Sequence, residues 1–453
     1  MTSELRFPNC EHGRYRIAIT LSLAVCVQYM YKEQSWCIGV KKLTSHVIDT
    51  MIGGTQVIQC DPSTISFHSS SETPDISCSK VVEALQTASH HLLTLLQPVA
   101  FPTETVYGLG ASALNVSATS RIFAVKGRPP DNPLIVHVSS FKMLYSLLPN
   151  DYQLSRSYQV LIKHFWPGAL TLLFPNNPAV IHPTITANQP TVAIRMPSHP
   201  IARALIAVAN CPLAAPSANS SGKPSPTRAE HVLRDLDGKI GLVLDGGACS
   251  VGLESTVVDG LNEDGNIRVL RPGGVTVEDI EKVLRENTLG GERTPKVLVH
   301  QRDYRDESLE QAPSTPGMKY RHYSPRVPVI LLFTSSPPPP GIDVTPALPF
   351  LAALRDKIPN ASYPLKVGLL TTADSPLAHS ALLNAGIQWH RYLLGLASEP
   401  WTVAHHLFDG LFTLEGEGVD VILMEEVKEE KEGLAIMNRV KKAATESIWI
   451  KFN

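Results

Sequence analysis

The chain has 453 residues, 43% of them hydrophobic, with 40 Lys plus Arg against 42 Asp plus Glu. At about 150 residues per domain this predicts two or three domains, and the near-neutral balance excludes a global basic field for nucleic acid, leaving only a local patch. Seven scattered cysteines with no CxxC pair exclude a disulfide framework and a structural zinc site, and suit a reducing compartment.

Residues 1–79 read as an N-terminal extension, disordered or targeting in character. Within it, 17–27 is an apolar run, shorter than the ~20 residues a bilayer span needs. Arg6, Arg14 and Arg16 precede the run, which suits a targeting segment. Glu4 and Glu11 and the lack of a small-residue cleavage site argue against a secretory peptide. Met51 is an alternative start, and 68–79 is a Ser-rich polar loop.

A helix is expected over 80–96 and a buried strand end over 98–101. The chain then changes character in FPTETVYGLG (101–110), where Thr103, Glu104, Thr105 and Tyr107 supply hydroxyls and a carboxylate. Gly108 and Gly110 there suit a turn or the close approach of a ligand. A helix over 116–125 stops at Gly127 with two prolines beyond, so Lys126 and Arg128 leave a fixed helix end.

Strands are expected over 134–138, 169–174, 192–195, 213–215, 242–245, 255–259 and 267–270, and helices over 152–164 and 201–209. Thr227 with Glu230 reads as a capping box, and Thr276 with Asp279 marks another helix start. Residues 287–326 lose apolar periodicity and read as a linker; so long a structureless stretch points to function or disorder. Its centre, 318–323, is aromatic and basic. Beyond it, strands over 327–333, 367–370 and 419–424, a weaker one over 389–393, and helices over 348–354 and 403–414 predict a small three-layer parallel sheet. Residues 337–340 read as a polyproline loop. No GxGxxG follows the first of these strands, so a dinucleotide site there lacks its motif.

Lys126, Arg128, Arg195 and Arg271 each sit at the end of a helix or strand beside proline or a loop. Cations held this way suit planar recognition of carboxylate or phosphate, and four converging suit a polyanion such as ATP; solvated charges or ion pairs are the plainer alternative. The loop 216–222 and Ser225 offer hydroxyls and open amides of the kind that cradle phosphate. GxxxxGK[ST], HExxH and GxSxG are all missing, which removes the P-loop, zinc peptidase and α/β-hydrolase readings.

FPTETVYGLG, KGRPPDNPLIVHV, FWPGALTLLF, VAIRMPSHP, PLAAPSANSSGKPSPT, VGLESTVVD and RVLRPGG, in that order, resemble the YrdC/Sua family of L-threonylcarbamoyladenylate synthases. PGMKYRHYSP and AIMNRVKKAA resemble its longer two-domain members, and the likeness runs from about residue 82 to the C-terminus. It implies a mixed α/β fold: a YrdC-like twisted open sheet with a concave basic face over 80–286, a linker or lid over 287–326, and a smaller Rossmann-like three-layer domain over 327–453. It also implies the activity. L-Threonine and bicarbonate give a carbamate, which attacks the α-phosphate of ATP to yield threonylcarbamoyl-AMP and pyrophosphate. A downstream transferase complex then modifies tRNA next to the anticodon.

Carried over by motif, Thr105, His137, Arg195, Ala215 and Ser255 line the threonine side. Arg128, Asn132, Thr191, Ser217, Ser225 and Arg271 fall on the ATP side, Lys126 and Arg128 neutralise the phosphates, and Tyr320 closes over the nucleotide. Mg²⁺ is expected with ATP, and zinc, haem and flavin are not. Direct tRNA contact is a secondary expectation, a membrane span is not expected, and the compartment implied is the cytoplasm, with a mitochondrial pool as the alternative.

Two other readings use the same residues. One is a non-catalytic RNA-binding module, with the cationic concavity and linker residues such as Lys319 and Arg321 on RNA. The other is carbamoyl transfer in a different pathway, against which the second domain and MKYRHYSP argue. The second domain either controls closure or partner contact, or is a stabilising appendage. Asn438, Arg439, Lys441 and Lys442 read as a solvated helix face.

Overall fold

Two sheets take up nearly all of the apolar segments. In the computed structural model, residues 54–68, 72–289, 293–311, 313–316, 322–379 and 387–451 are described. The targeting and start-site readings on 1–53, and Tyr320 with its neighbours 317–321, lie outside them.

The first sheet has eleven strands. In chain order these are β1 (Gln56–Gln59), β4 (Val99–Phe101), β5 (Gly108–Ser112), β6 (Ile135–His137), β7 (Leu170–Pro175), β8 (Thr191–Arg195), β9 (Leu213–Ala214), β10 (Leu242–Asp245), β11 (Thr256–Asp259), β12 (Ile267–Arg271) and β13 (Val297–Val299). A small ladder, β2 (Ile65–Ser66) with β3 (Asp75–Ile76), lies beside it in the sequence. The spatial order is β1-β10-β4-β5-β9-β6-β8-β7-β11-β12-β13, with parallel and antiparallel pairs mixed. Helices Ser79–Leu93 and Pro200–Ala209 cover one apolar layer, where Leu85, Leu92, Leu205 and Phe101 meet. The main core, around Tyr107, Ile122, Tyr158 and Phe174, fills another.

The second sheet has six parallel strands: β14 (Val329–Phe333), β15 (Thr345–Pro346), β16 (Leu365–Thr371), β17 (Ile387–Leu393), β18 (Val421–Glu425) and β19 (Glu446–Lys451). Their order is β15-β19-β14-β18-β16-β17. Val329 and Leu331 of β14 join helices Pro400–Gly416 and Glu432–Ala443 in one core. Ile330 and Leu332 join helix Ala347–Ala353 in the other. A strand buried on both faces is apolar throughout, which is why VILLF reads so clearly.

The two sheets are joined by side chains. Val106 and Leu253, from loops of the first domain, enter the core under the second sheet, together with Tyr323. Arg228 donates to Asp409 at 2.8 Å, and His231 stacks on Phe412 with centroids 4.1 Å apart. Gly252, at φ +80°, lies so close to the second domain that a Cβ there would be 2.5 Å from the His405 backbone.

Several expectations are corrected. Strand β1 at Gln56–Gln59 pairs in parallel with β10, and Ile65–Ser66 pairs with Asp75–Ile76, so these parts of 1–79 are not a disordered extension. QVIQ escapes notice because it is a four-residue edge strand with only Ile58 half-buried. Gly108 and Gly110 belong to a strand instead of a turn. Thr227 does not cap its helix: Ala229–Leu236 has Arg228 at the N-cap with no side-chain cap, and Thr227 Oγ1 lies 3.3 Å from His231 Nδ1. The linker is structured in part, since β13 pairs with β12 and a helix forms at Glu307–Gln311. Thr276 does cap its helix, accepting from the Asp279 N–H at 3.1 Å.

Candidate active site

Sheet register builds the site. In the β6–β8 pair His137 stands beside Arg195. Across β11 and β12, Val257 faces Arg271, which places Ser255 next to the arginine. Segment 103–107, leaving β4, is stitched to the Ser-rich loop by Tyr107 N–H to Pro226 O and Ala218 N–H to Tyr107 O, both at 2.8 Å. These strand ends and loops line a narrow cleft with about 40 Å³ open to a water-sized sphere.

Thr105, His137, Arg195, Ala215 and Ser255 all line this cleft. Arg195 is 4% exposed; its Nη1 donates to Thr105 Oγ1 at 2.9 Å and its Nη2 to Glu104 Oε1 at 2.7 Å. Its Nε has no partner among the described residues. Glu104 Oε2 accepts from the Ser198 and His199 N–H groups, so one carboxylate fixes both the guanidinium and the start of the following helix. Ser255 Oγ lies 2.7 Å from Thr171 Oγ1. Burial, then the Arg195 charge, pushes His137 down to about 3; at neutral pH it is an uncharged imidazole.

Of the residues expected on the ATP side, Arg128, Ser217 and Arg271 line the cleft. Arg128 donates to the Asn132 and Pro133 carbonyls at 3.1 and 2.8 Å, and Arg271 to the Ser255 and Pro316 carbonyls at 2.9 and 3.1 Å. Burial and then Arg271 pull Arg128 down to about 9, leaving it charged at neutral pH. Lys126, Asn132, Thr191 and Ser225 do not line the cleft. Lys126 Nζ donates to the Ser217 and Asn219 carbonyls, holding the Ser-rich loop from behind. Ser225 Oγ donates to Glu254 Oε1 at 2.5 Å. Asn132 Oδ1 and Thr191 Oγ1 are buried without partners among the described residues.

Among the lining groups Glu254 escaped sequence reasoning, whereas His322 and Tyr323 fall in the aromatic, basic stretch 318–323. Glu254 was signalled only as a carboxylate inside the apolar run 251–258. Burial works to raise its pKa, but Arg439, Arg271 and the Ser225 hydroxyl outweigh that and hold it at about 2. His322 and Tyr323 bring the linker into the cleft, and Ser324 N–H donates to Gly222 O at 2.8 Å. Tyr107 is a core residue: its hydroxyl donates to Gly247 O at 2.8 Å.

Among the described residues no group of three or more His, Cys, Asp or Glu could hold a metal. Glu254 is engaged by Arg439 and Ser225.

Buried, fixed cations and hydroxyls at the strand ends of a mixed sheet, backed by a parallel α/β domain, define an α/β protein with a cleft whose chemistry suits a small anionic ligand. Residues 93–273 match the Sua5/YciO/YrdC family model, described as telomere recombination. Residues 275–445 match a model described as threonylcarbamoyl-AMP synthase, C-terminal domain. A threonylcarbamoyl-AMP synthase of Schizosaccharomyces pombe is 42% identical over 393 residues, covering 81% of this chain and 90% of that protein. One from Bacillus subtilis is 42% identical over 355 residues, 78% and 91% of the two chains. The crystal structure of Pyrococcus abyssi Sua5 complexed with L-threonine is 36% identical, with TM-score 0.65, over 88% of this chain and all of that one. The chain belongs to the Sua5/YciO/YrdC family, with the two-domain architecture of those relatives.

Proposed function

We propose that this chain is a threonylcarbamoyl-AMP synthase, converting L-threonine, bicarbonate and ATP into threonylcarbamoyl-AMP, pyrophosphate and water. The observation that carries the reading is the single cleft gathering Thr105, His137, Arg195, Ala215 and Ser255 beside Arg128, Ser217 and Arg271. The threonine complex of the P. abyssi relative supports the amino acid substrate.

On this reading Arg195 receives the threonine carboxylate, with Thr105 and Ser255 beside it. Glu104 keeps the guanidinium aimed, and His137, uncharged and beside Arg195, orients the substrate. The carbamate oxygen attacks the α-phosphorus, the bond to the bridging oxygen breaks, and pyrophosphate leaves with that electron pair. Such a transfer needs in-line positioning and stabilisation of spreading charge. Arg128 and Arg271 supply fixed charge and Lys126 holds the loop carrying Ser217; a Mg²⁺ ion on the triphosphate would add to the charge neutralisation. Asn132, Thr191 and Ser225 do not line the cleft and are assigned no direct contact with the nucleotide. The unstable product passes to a downstream threonylcarbamoyl transferase acting on tRNA.

The RNA-binding alternative is not favoured. Lys126, Arg128, Arg195 and Arg271 are each 4–7% exposed and tied to carbonyls or Glu104, which withholds them from an extended phosphate backbone. Among the described residues no helix is long and apolar enough to cross a membrane.

The test is pyrophosphate release from ATP and bicarbonate with and without L-threonine, in the wild-type chain and in Arg195→Lys. Threonine-dependent release that falls in the variant is the expected result. Release indifferent to threonine would overturn the proposal.

A further inference from the structure

The last helix of the chain, Glu432–Ala443, does not present a solvated cationic face toward the first domain. Arg439 is 1% exposed. Its Nε donates to Glu254 Oε2 at 3.0 Å, its Nη1 donates to Pro272 O, and its Nη2 has no partner among the described residues. Both acceptors belong to the first domain, and each is the chain neighbour of an expected ligand residue: Glu254 precedes Ser255, and Pro272 follows Arg271. The two segments touch directly, since a Cβ on Gly273 would lie 2.3 Å from Glu254 O and 2.5 Å from Thr256 N. Glu254 passes the constraint on by accepting from Ser225.

Charge gives the contact a purpose. Glu254 lines the cleft with Arg128 and Arg271. An unpaired carboxylate there would repel a triphosphate and compete with it for Arg271. Arg439 pairs that carboxylate from behind, leaving the cleft arginines to face an anion. The domains are fastened elsewhere by Arg228–Asp409 and His231–Phe412, so a buried guanidinium is not needed merely to dock them. Burying one is unfavourable unless its partners compensate.

We propose that Arg439, supplied by the second domain, is a positioning residue of the nucleotide side, acting through Glu254. This rests on the ATP-dependent reading above. It makes the second domain part of the site, not an appendage to it.

The test compares Arg439→Met, Arg439→Lys, Glu254→Gln and the Arg439→Met/Glu254→Gln double variant in the full chain, by steady-state kinetics and by calorimetric ATP binding. Arg439→Met is expected to raise the KM and Kd for ATP about tenfold while the KM for threonine stays within about twofold. Arg439→Lys recovers part of the loss. The double variant is no worse than Arg439→Met, because the two residues act as one unit. A simple docking role would instead shift both KM values together, or give additive losses, and either result overturns the proposal. If Arg439→Met does not fold, Arg439→Lys and Glu254→Gln carry the same comparison of the two KM values. Wild-type protein that binds no ATP overturns the ATP reading and this proposal together; wild-type binding that the variants leave unchanged overturns only this one.

Discussion

The chain carries two concavities at strand ends, and they have opposite chemistry. In the first domain the strand ends deliver Arg195, Arg271 and the helix-end Arg128, all buried and pinned. In the second, the carboxyl ends of β14, β16 and β18 deliver Thr334, Thr371, Glu425 and Glu426. The turn after β14 points the Thr334, Ser335 and Ser336 N–H groups at one place, as in phosphate-binding α/β domains. Here all three donate to Glu426 Oε1, at 2.8, 2.6 and 2.8 Å, and Ser336 Oγ donates to Oε2. Glu425 accepts from the Thr334 and Thr371 hydroxyls. The anion nest of the second domain is filled by the chain's own carboxylate. The first-domain cleft thus presents arginines, whereas the second-domain concavity is occupied by acidic side chains of the chain itself.

The comparison breaks most visibly at Glu104. Replacing it with Ala leaves Arg195 buried and unpaired, which is expected to destabilise the chain by about 3–5 kcal/mol and to abolish threonine-dependent pyrophosphate release. Thermal melting together with the release assay checks both. A Glu104→Ala protein that melts and turns over like wild type would remove the aimed-arginine account.

Acid sharpens it. Glu254 is held at about 2 against an ordinary value of 4.5. Its folded-state pKa is depressed, so its stabilisation is fully present above about pH 5 and is lost as pH falls toward 2. The amount is about 3 kcal/mol by linkage. Urea titrations from pH 6 to pH 2 are expected to show a stability loss that Glu254→Gln flattens; parallel curves for the two proteins would contradict the assignment.

The smallest effect is expected at the filled nest. Glu426→Gln keeps an acceptor oxygen but removes the charge, weakening the turn by about 1 kcal/mol. ATP is expected to bind at one site per chain before and after the change. A second ATP appearing in the variant would show that the nest alone governs the difference between the concavities.

The cleft arginines are legible because they stand where an apolar strand or helix meets proline, as at Ile194-Arg195-Met196-Pro197 and Leu270-Arg271-Pro272. That pattern encodes both position and rigidity. What lies beneath them is not. Glu104 and Glu254 each depend on an arginine far along the chain, 91 and 185 residues away, and no local periodicity encodes such pairs. Arg439 shares its helix with Lys441 and Lys442, so its neighbourhood reads as polar surface, although the helix turns it inward. Strands β1 and β13 are too short, at four and three residues, to show an alternation of their own.

Gly252 draws a consequence from the seam between the domains. Its backbone lies where an added methyl carbon would meet the main chain of His405, and main chain cannot rotate away as a side chain can. The spacing of the two halves is therefore gauged at one position to less than the width of a methyl group. An inactivating substitution at 252 would act as a wedge: every group of the reaction would be present, but Arg439 would be held at the wrong distance from Glu254.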